Sequence, residues 1–499
     1  MAAVTAVLDI GKTNKKVVIY DESMKMVDTR RRRIDAIREE GLQVEDLGAI
    51  ESWFLEELSG LSSRYDIRAI SVTTHGAAVV CVGEDGAPVV PPVDYTQPVD
   101  DDLHKRFFDA MGPRDTLQVT TATAEVQPLI NVGKALFFLK ERFPDRFARI
   151  STILLYPQYF SWRLTGVASA DITYVGCHSY LWDFKRRDWS SVVDALGIRH
   201  ALPKQPVLPV TSIGTITREV AERTGLREDV VVTAGIHDSN ASLLPYLITR
   251  KQDFVLNSTG TWCVAMHPVE RVAFTPDEVG KMVFYNLSYA GTPVKTSILM
   301  GGLEYETYRT LLSDIHGRTD DPELDTVLLE EIVAAADAFV LPSVVRGTGQ
   351  FPDSPARVVE RDQAYTLEEI KSKASLPPAF SDYERALALV DLSVAIQTVV
   401  ALERVSLGSG TEVFIEGGFR NNRPYLKILS ALLPDNPIAL TSVEEATSFG
   451  AALCARAALD GAPVEALADT VTMDVQPVDR LELPGIERYR DRFLALVNG

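Results

Sequence analysis

The chain has 499 residues, of which 46% are hydrophobic and 24% are charged, as in a folded soluble protein long enough for more than one domain. It contains 50 Lys and Arg residues and 69 Asp and Glu residues, which gives a net charge of −19. This balance argues against a nucleic-acid or anionic-membrane binder, because both kinds of protein need a basic face.

The cysteines and the apolar runs indicate the cellular compartment and whether the chain contains a membrane span. The four cysteines are far apart and form no Cys-x-x-Cys pair: Cys81, Cys177, Cys263 and Cys454. This spacing favours buried free thiols in a reducing cytoplasm over a disulfide framework or a zinc site. No run of 18 apolar residues occurs, and Asp9 interrupts the apolar stretch near the N-terminus. We therefore expect no membrane span and no signal peptide.

Along the first half of the chain the pattern predicts strands that end in small polar turns. The segments AVLDI and KVVIY flank the turn GKTN and predict a hairpin, and RRRR at 30–33 follows as a solvated strand end or an anion site. IESWFLEELSGL predicts a helix, AISVTTHGAAVVCV a strand, a turn and a strand, and VGKALFFLKERFP a helix ending at Pro144. VVVTAG predicts a strand that leads to His237 and Asp238.

The second half repeats this design. DFVLN, STGTW and CVAM predict a second hairpin with a Ser/Thr/Gly turn, and TEVFIEGGFRNNRPYLKILSALL predicts a strand, a Gly-Gly turn and a helix. ALALVDLSVAIQTVVALERV predicts a buried helix, EEATSFGAALCARAAL a closely packed one, and the proline-rich segment 350–380 a loop or insertion. The recurrence indicates two α/β halves with a cleft between them.

The two hairpin turns are candidate phosphate sites, because small residues in a tight turn can direct backbone N–H groups at a phosphate. In residues 9–14 the strand-end Asp9 can also hold a magnesium ion through water. Each turn has a plain alternative, a hairpin with an Asx interaction. The chain contains no G-x-x-x-x-G-K-[ST], G-x-G-x-x-G or H-E-x-x-H pattern, so it gives no support for P-loop, Rossmann or zincin chemistry.

Two further segments place polar groups at strand ends. Gly417 and Gly418 open a helix and can let the backbone approach a flat ring or a phosphate, or they form only a tight turn. Asp238 can orient an alcohol and accept its proton, or it can cap the helix that follows. His75 with Gly76, and Asp171 with His178, are weaker candidates for a sugar site.

Taken together and in this order, the motifs resemble the FGGY family of carbohydrate kinases. The residues that carry the resemblance are AVLDIGKT, TTHGA, YPQYFSWRLTG, TAGIHD, NSTGTW, EGGFRNN and EEATSFGAALCA, which span positions 6 to about 455. Within the family, PVDYTQ and the pairs His-Asp and Gly-Thr-Trp resemble L-rhamnulose kinases most and L-fuculose kinases next.

The resemblance implies an α/β fold of two ribonuclease-H-like (actin/hexokinase/Hsp70-type ATPase) domains around a central cleft. It implies a sugar-binding domain over residues 1–246, a nucleotide-binding domain over 247–466 and a C-terminal tail over 467–499 that packs on them. It assigns Asp238 as general base, Asp9 to magnesium, and the sugar site to His75, Gly76, His237 and Asp238. The ATP site would comprise Lys12, Thr13, Gly260, Thr261, Gly417, Gly418 and Asn421.

Two segments depart from the family pattern. Lys12 stands where the family usually has Thr, so it contacts a phosphate directly or points to solvent. The segment ADITYVGCHS replaces a run of small Ser/Thr-rich residues, which leaves the role of residues 169–179 open.

The sequence thus predicts a cytoplasmic, ATP- and Mg²⁺-dependent kinase acting on a terminal hydroxyl of a ketose, L-rhamnulose or L-fuculose. The alternatives are a kinase for ketopentoses or other polyols, a non-catalytic actin-like ATP-binding module, and a scaffold. Sugar and ATP are the expected partners, nucleic acid and membranes are not, and a homodimer is left open.

Overall fold

The computed structural model describes residues 3–126, 128–320, 322–361 and 363–498, which fold into two lobes. The strands of the N-terminal lobe are β1 Ala3–Ile10, β2 Asn14–Tyr20, β3 Met26–Arg33, β4 Ile37–Glu39, β5 Leu42–Val44, β6 Asp66–Thr74, β7 Val79–Val82, β8 Thr152–Leu155, β9 Trp182–Asp183, β10 Asp188–Trp189, β11 Ser212–Thr215, β12 Val231–Thr233 and β13 Ile236–His237. Its main sheet has the order β11-β12-β6-β1-β2-β3, and β13 also pairs with β6. The hairpin predicted at the N-terminus is confirmed, because β1 and β2 pair antiparallel.

The C-terminal lobe is built on a second mixed sheet. Its strands are β14 Phe254–Thr259, β15 Cys263–Pro268, β16 Val283–Leu287, β17 Pro293–Leu299, β18 Ala338–Leu341, β19 Arg357–Glu360, β20 Gln363–Thr366, β21 Glu412–Gly417, β22 Ile438–Ser442 and β23 Asp474–Pro477. The main sheet has the order β16-β17-β15-β14-β21-β22-β23. The second predicted hairpin, β14 with β15, is confirmed as well.

The two sheets share one topology. In each, three antiparallel strands (β3-β2-β1 and β17-β15-β14) are followed by two strands parallel to the last of them (β6-β12 and β21-β22). An antiparallel edge strand closes each series, β11 in one lobe and β23 in the other. This repetition confirms the predicted two α/β halves and the ribonuclease-H-like design.

Helices cover both sheets. In the N-terminal lobe they are α1 Leu47–Ser62, α2 Leu103–Met111, α3 Arg114–Thr121, α4 Val132–Arg142, α5 Pro144–Phe147, α6 Tyr156–Thr165, α7 Ile172–Val175, α8 Ser191–Leu196, α9 Arg218–Thr224 and α10 Asp238–Thr249. In the C-terminal lobe they are α11 Gly301–His316, α12 Thr326–Ala335, α13 Leu367–Lys371, α14 Tyr383–Arg404, α15 Arg423–Leu432, α16 Ala446–Asp460 and α17 Ile486–Asn498. Short 3-10 helices cover Pro128–Ile130, Arg199–Ala201, Pro378–Ser381, Gly418–Asn421 and Val464–Thr470.

Helices α10 and α16 join the lobes at the base of the cleft. A Cβ atom at Gly450 of α16 would lie 1.9 Å from the carbonyl oxygen of Ala241 in α10, so the two helices touch backbone to backbone. The hydroxyls of Tyr246 and Thr441 are 2.6 Å apart across the same junction. The boundary expected near residue 246 therefore falls within α10 and stays a prediction.

Three other predicted segments can be compared with the structure. The 350–380 segment contains β19 and β20, which form a small antiparallel sheet with β18 rather than a loop alone. After residue 466, β23 extends the main sheet, and α17 buries Tyr489 and Phe493 in the core of the C-terminal lobe. At the charged strand end Arg31, Arg32 and Arg33 are exposed and Arg30 is half-buried. Arg31 and Arg33 form ion pairs with Glu445 and Asp35, respectively.

Helix α14 is buried as predicted. Among the described residues it is the one helix whose length and apolar composition would allow it to cross a membrane, yet 83% of its apolar window is buried inside the protein. That burial is what a core helix of a globular lobe shows. All four cysteines are buried and form no disulfide in the structure, as the sequence predicts for the thiols.

Candidate active site

The structure brings the four predicted sugar-site residues together. His75 and Gly76 follow β6, His237 ends β13, and Asp238 begins α10; all four line one cavity of about 230 Å³. Strands β6 and β13 run parallel, so their carboxyl ends deliver these side chains to the same edge of the sheet. Trp262, from the turn between β14 and β15, lines the same cavity. The cavity therefore lies where the two lobes meet.

Asp238 presents a carboxylate at the first position of α10. Its side chain is 33% exposed, and its Oδ1 accepts a hydrogen bond of 2.6 Å from the backbone N–H of Ser239. Burial raises the pKa of Asp238, whereas His75 and the hydrogen bonds from Ser239 oppose that shift. The cap position of the helix is occupied by His237 rather than by Asp238. The backbone N–H of Ser239 thus holds one oxygen of this carboxylate in place, while the side chain stays open to the cavity.

His237 is neutral and rigidly held. Its side chain is 5% exposed, and its backbone N–H donates to the hydroxyl of Thr173 over 3.1 Å. Burial, followed by the neighbouring His75, lowers the pKa of His237 to about 3. The Nδ1 atom lies 3.4 Å from Oδ1 of Asp238, while Nε2 points toward Cys177 and His178. A neutral imidazole here can donate or accept one hydrogen bond with a sugar hydroxyl.

Lys12 is placed differently from the expected phosphate contact. Its amine pairs with Asp94 and, at 3.2 Å, with Glu45, and it stands 4.7 Å from the centre of the Tyr95 ring. Both carboxylates are buried, so removing this positive charge would weaken their compensation, which for Glu45 comes also from His75 and Lys15. Because Tyr95 lines the sugar cavity, the amine lies on the sugar side of the first turn. Lys12 therefore neutralises carboxylates in this structure, and its contact with a phosphate stays a prediction.

Asp9 lies at the end of β1 between the lobes. Burial raises the pKa of Asp9, whereas Lys16, 3.7 Å away, and the hydroxyl of Ser448, which donates to Oδ2 over 2.6 Å, lower it. Asp238 is close enough to raise the same pKa electrostatically. Carboxylate and hydroxyl oxygens are donors that Mg²⁺ prefers, so Asp9 and Ser448 fit the predicted ion.

The two predicted phosphate turns are built alike. Gly11 donates its N–H to the carbonyl of Asn14 over 3.0 Å, and Gly260 donates to the carbonyl of Trp262 over 2.9 Å. The predicted phosphate residues Thr13, Gly260 and Thr261 are exposed at the tips. The geometry is that of two tight hairpin turns, and their phosphate contacts stay predictions.

Close backbone packing supports the second turn from two sides. Gly417 has φ 86° and ψ −150°, and a Cβ atom there would lie 1.9 Å from the carbonyl oxygen of Thr259. A Cβ atom at Gly302, in the first turn of α11, would lie 2.0 Å from the carbonyl oxygen of Gly260. The sequence analysis missed Gly302, although the pair Gly301 and Gly302 after β17 resembles the Gly417 pair.

The residues predicted for the nucleoside border a second cavity. This cavity, of about 420 Å³, is lined by Gly418 and Asn421 together with Tyr305 and Arg309 of α11. Gly417 lies behind it, against Thr259. The neighbouring Asn422 caps α15 and donates to Asp391 over 2.7 Å, which fixes the loop. Polar groups and a tyrosine ring around a space of this size suit a nucleoside.

The weaker sequence candidates separate in the structure. His178 lines the sugar cavity, but Asp171 is fully buried and caps α7, accepting the N–H of Tyr174 over 3.0 Å. Sequence reasoning missed Cys177 and the apolar wall of the cavity. That wall is drawn from distant segments of both lobes and has no local pattern; it consists of Val126, Ile130, Phe284 and Ile298.

Comparison with known protein families agrees with this architecture. The profile described as the FGGY family of carbohydrate kinases, N-terminal domain, matches residues 4–245, and that of the carbohydrate kinase FGGY, C-terminal domain, matches residues 251–463. The chain belongs to the FGGY family of carbohydrate kinases. The two matched regions follow the two lobes of this FGGY protein closely.

Individual relatives of this FGGY protein are distant. A rhamnulokinase from Halalkalibacterium halodurans is 24% identical over 51% of the chain and 54% of its own length, and an L-xylulose/3-keto-L-gulonate kinase from Escherichia coli is 27% identical over 64% and 60%. The chain thus spans about half to three fifths of the length of these curated relatives. A solved carbohydrate kinase from Novosphingobium aromaticivorans is 27% identical and superposes with a TM-score of 0.80 over 100% of this chain and 99% of its own.

Proposed function

We propose that this protein is an ATP- and Mg²⁺-dependent kinase that phosphorylates a terminal hydroxyl of a ketose. The observation that carries the proposal is the position of Asp238, whose carboxylate opens into a sugar-sized cavity where the second hairpin turn also arrives through Trp262. A non-catalytic nucleotide-binding module has no use for a proton acceptor at that point. The cavity therefore favours an enzyme over such a module or a scaffold.

In the proposed reaction Asp238 accepts the proton of the reacting sugar hydroxyl. The oxygen of that hydroxyl forms a bond to the γ-phosphorus of ATP, while the bond between the γ-phosphorus and ADP breaks. The raised pKa of Asp238 strengthens it as a base. His237 orients a neighbouring hydroxyl as a neutral hydrogen-bonding partner. Asp9 with Ser448 would hold a magnesium ion, which supplies charge neutralisation at the phosphates.

The lining of the cavity supports an uncharged sugar with one apolar end. Among the described residues that line it, Asp238 is the one with a carboxylate, and none is a Lys or Arg. A sugar acid would lack a cationic partner there. The wall of Val126, Ile130, Phe284 and Ile298 suits a methyl group, because burying one against such a surface is worth about 0.8 kcal/mol. We therefore propose a 6-deoxy-ketohexose, L-rhamnulose or L-fuculose, as substrate.

A ketopentose is the second candidate, because one relative is named as a kinase of L-xylulose. A coupled ADP-release assay over L-rhamnulose, L-fuculose, L-ribulose, the xyluloses and glycerol separates the two. We expect the highest kcat/KM with a 6-deoxy-ketohexose. Turnover of a pentulose with none of L-rhamnulose or L-fuculose would refute the substrate assignment, and no turnover of any sugar would refute the kinase.

The proposal also places the protein in the cytoplasm with sugar and ATP as its small-molecule partners. The buried free thiols and the acidic surface support that location, and a homodimer stays a prediction.

A further inference from the structure

We propose that the wall of the sugar cavity contains a binding site for a thiophilic divalent cation such as Zn²⁺, formed by Cys177, His178 and His237. The sequence argued against zinc because its cysteines are isolated, but the fold supplies the missing ligands from two segments about 60 residues apart. One ligand atom from each side chain lies within 4.8 Å of the others. All three residues line the cavity, so an ion can enter from it.

The spacing of the first two ligands fits tetrahedral zinc. The Sγ atom of Cys177 is 3.6 Å from Nε2 of His237. Ligands at about 2.1 Å (N) and about 2.3 Å (S) from a tetrahedral zinc ion are about 3.6 Å apart. The pair therefore needs no rearrangement to bind one ion.

The outer ring nitrogen of His178 already has the kind of partner that is found in metal sites. Nδ1 of His178 lies 3.1 Å from the carbonyl oxygen of Ile130, and this contact favours a proton on Nδ1 and a free lone pair on Nε2. Nδ1 of His237 lies 3.4 Å from the carboxylate of Asp238 and makes no hydrogen bond.

Gly76 keeps the space between the two rings open. A Cβ atom at this position would lie 2.7 Å from Nε2 of His237 and 2.9 Å from Nε2 of His178. Any other residue would therefore fill the approach to both ligand atoms. Three protein ligands leave a fourth tetrahedral position for water.

Binding is coupled to a proton and to the sugar. As the bond between zinc and sulfur forms, the S–H bond of Cys177 breaks and its proton passes to the buffer. An ion at this point uses the ring nitrogen of His237 and occupies part of a cavity of about 230 Å³, so we infer that it excludes the sugar. This exclusion rests on the proposed function, whereas ion binding does not.

Titration with Co²⁺, followed by absorption, tests the site without any assay of activity. We expect a thiolate-to-cobalt charge-transfer band that is lost in Cys177→Ser and kept in the control Cys454→Ala, a buried cysteine outside the cavity. Competition with Zn²⁺ should show at least about a 100-fold weaker affinity in Cys177→Ser and in His178→Gln. Circular dichroism confirms that each variant is folded.

The outcomes distinguish a failure of the proposed metal site from a failure of the proposed kinase function. Absence of the band in the folded wild-type protein would refute the metal site and leave Cys177 and His237 as a simple S–H···N hydrogen bond. A band that persists in Cys177→Ser would refute the ligand assignment. Loss of the band on addition of L-rhamnulose or L-fuculose would support exclusion, and a band unchanged by a sugar that the enzyme turns over would refute it. A clear band in a protein that phosphorylates no sugar would contradict the proposed function alone.

Discussion

Replacing Asp238 with Asn removes the proposed base while keeping the shape of the side chain. The Asn carbonyl can still accept the 2.6 Å hydrogen bond from Ser239, so we expect the start of α10 to be unchanged. A positioned general base contributes about 10²- to 10⁴-fold to the rate, and the loss of this one should raise the activation free energy by about 3–5 kcal/mol. Because Asp238 is not among the residues around the nucleoside cavity, nucleotide affinity should change less than about twofold.

The assay compares kcat from coupled ADP release with nucleotide affinity from calorimetric titration. Asp382→Asn is the control, because Asp382 is another helix-start carboxylate, the N-cap of α14, and it lies outside both cavities. In the wild type, the acid limb of kcat/KM should lie above the ordinary Asp pKa of 3.8, since burial raises the pKa of Asp238 and protonation removes the base. A kcat of Asp238→Asn within about threefold of wild type would refute the assignment of this carboxylate as general base.

Three further substitutions test the backbone contacts and the buried charge around the candidate active site. Gly417→Ala should lower the unfolding free energy by about 3 kcal/mol or more, because strain at φ 86° adds to a 1.9 Å clash. The control Gly410→Ala, with φ 80° and no neighbour within 4 Å, should lower it by about 1 kcal/mol. Equal losses on urea denaturation would contradict this explanation. Gly450→Ala should lower the melting temperature more than Gly60→Ala, a helical glycine with open space around it, and a matching effect in both would remove the helix contact as the cause. Burial alone would raise the pKa of Glu45, but His75, Lys12 and Lys15 lower it to about 2. Glu45 therefore stabilises the fold by about 3 kcal/mol above pH 4.5, and this stabilisation is lost as the pH falls toward 2. Glu45→Gln should flatten this pH dependence of the unfolding free energy, and an unchanged slope would refute the role of Glu45.

The parts of the fold that follow from local pattern were predictable. Apolar, β-branched segments on both sides of a small polar turn predict both hairpins from local sequence alone, and both hairpins are confirmed. The assignment of His75, His237 and Asp238 to one sugar site came from the resemblance to the family, and the three residues line one cavity.

The contacts that escaped prediction join residues far apart in the chain. Lys12 reaches Glu45 and Asp94, which are 33 and 82 positions away, and no local pattern marks those carboxylates as buried. The same holds for Cys177 and His237, 60 positions apart. Such contacts depend on how sheets and loops stack, and a desolvated carboxylate draws in a distant cation because the alternative is an uncompensated buried charge.

The duplicated topology explains how two carboxylates from different strands come to share one cleft. In each lobe a helix follows the last parallel strands of the sheet, α10 after β12 and β13 and α16 after β22. Asp238 begins α10, and Ser448 in the first turn of α16 holds the carboxylate of Asp9. The contact of Gly450 with the carbonyl of Ala241 leaves no space for these helices to approach further. Because Asp238 and Ser448 both lie in the first turns of helices that touch, their separation is set by backbone packing.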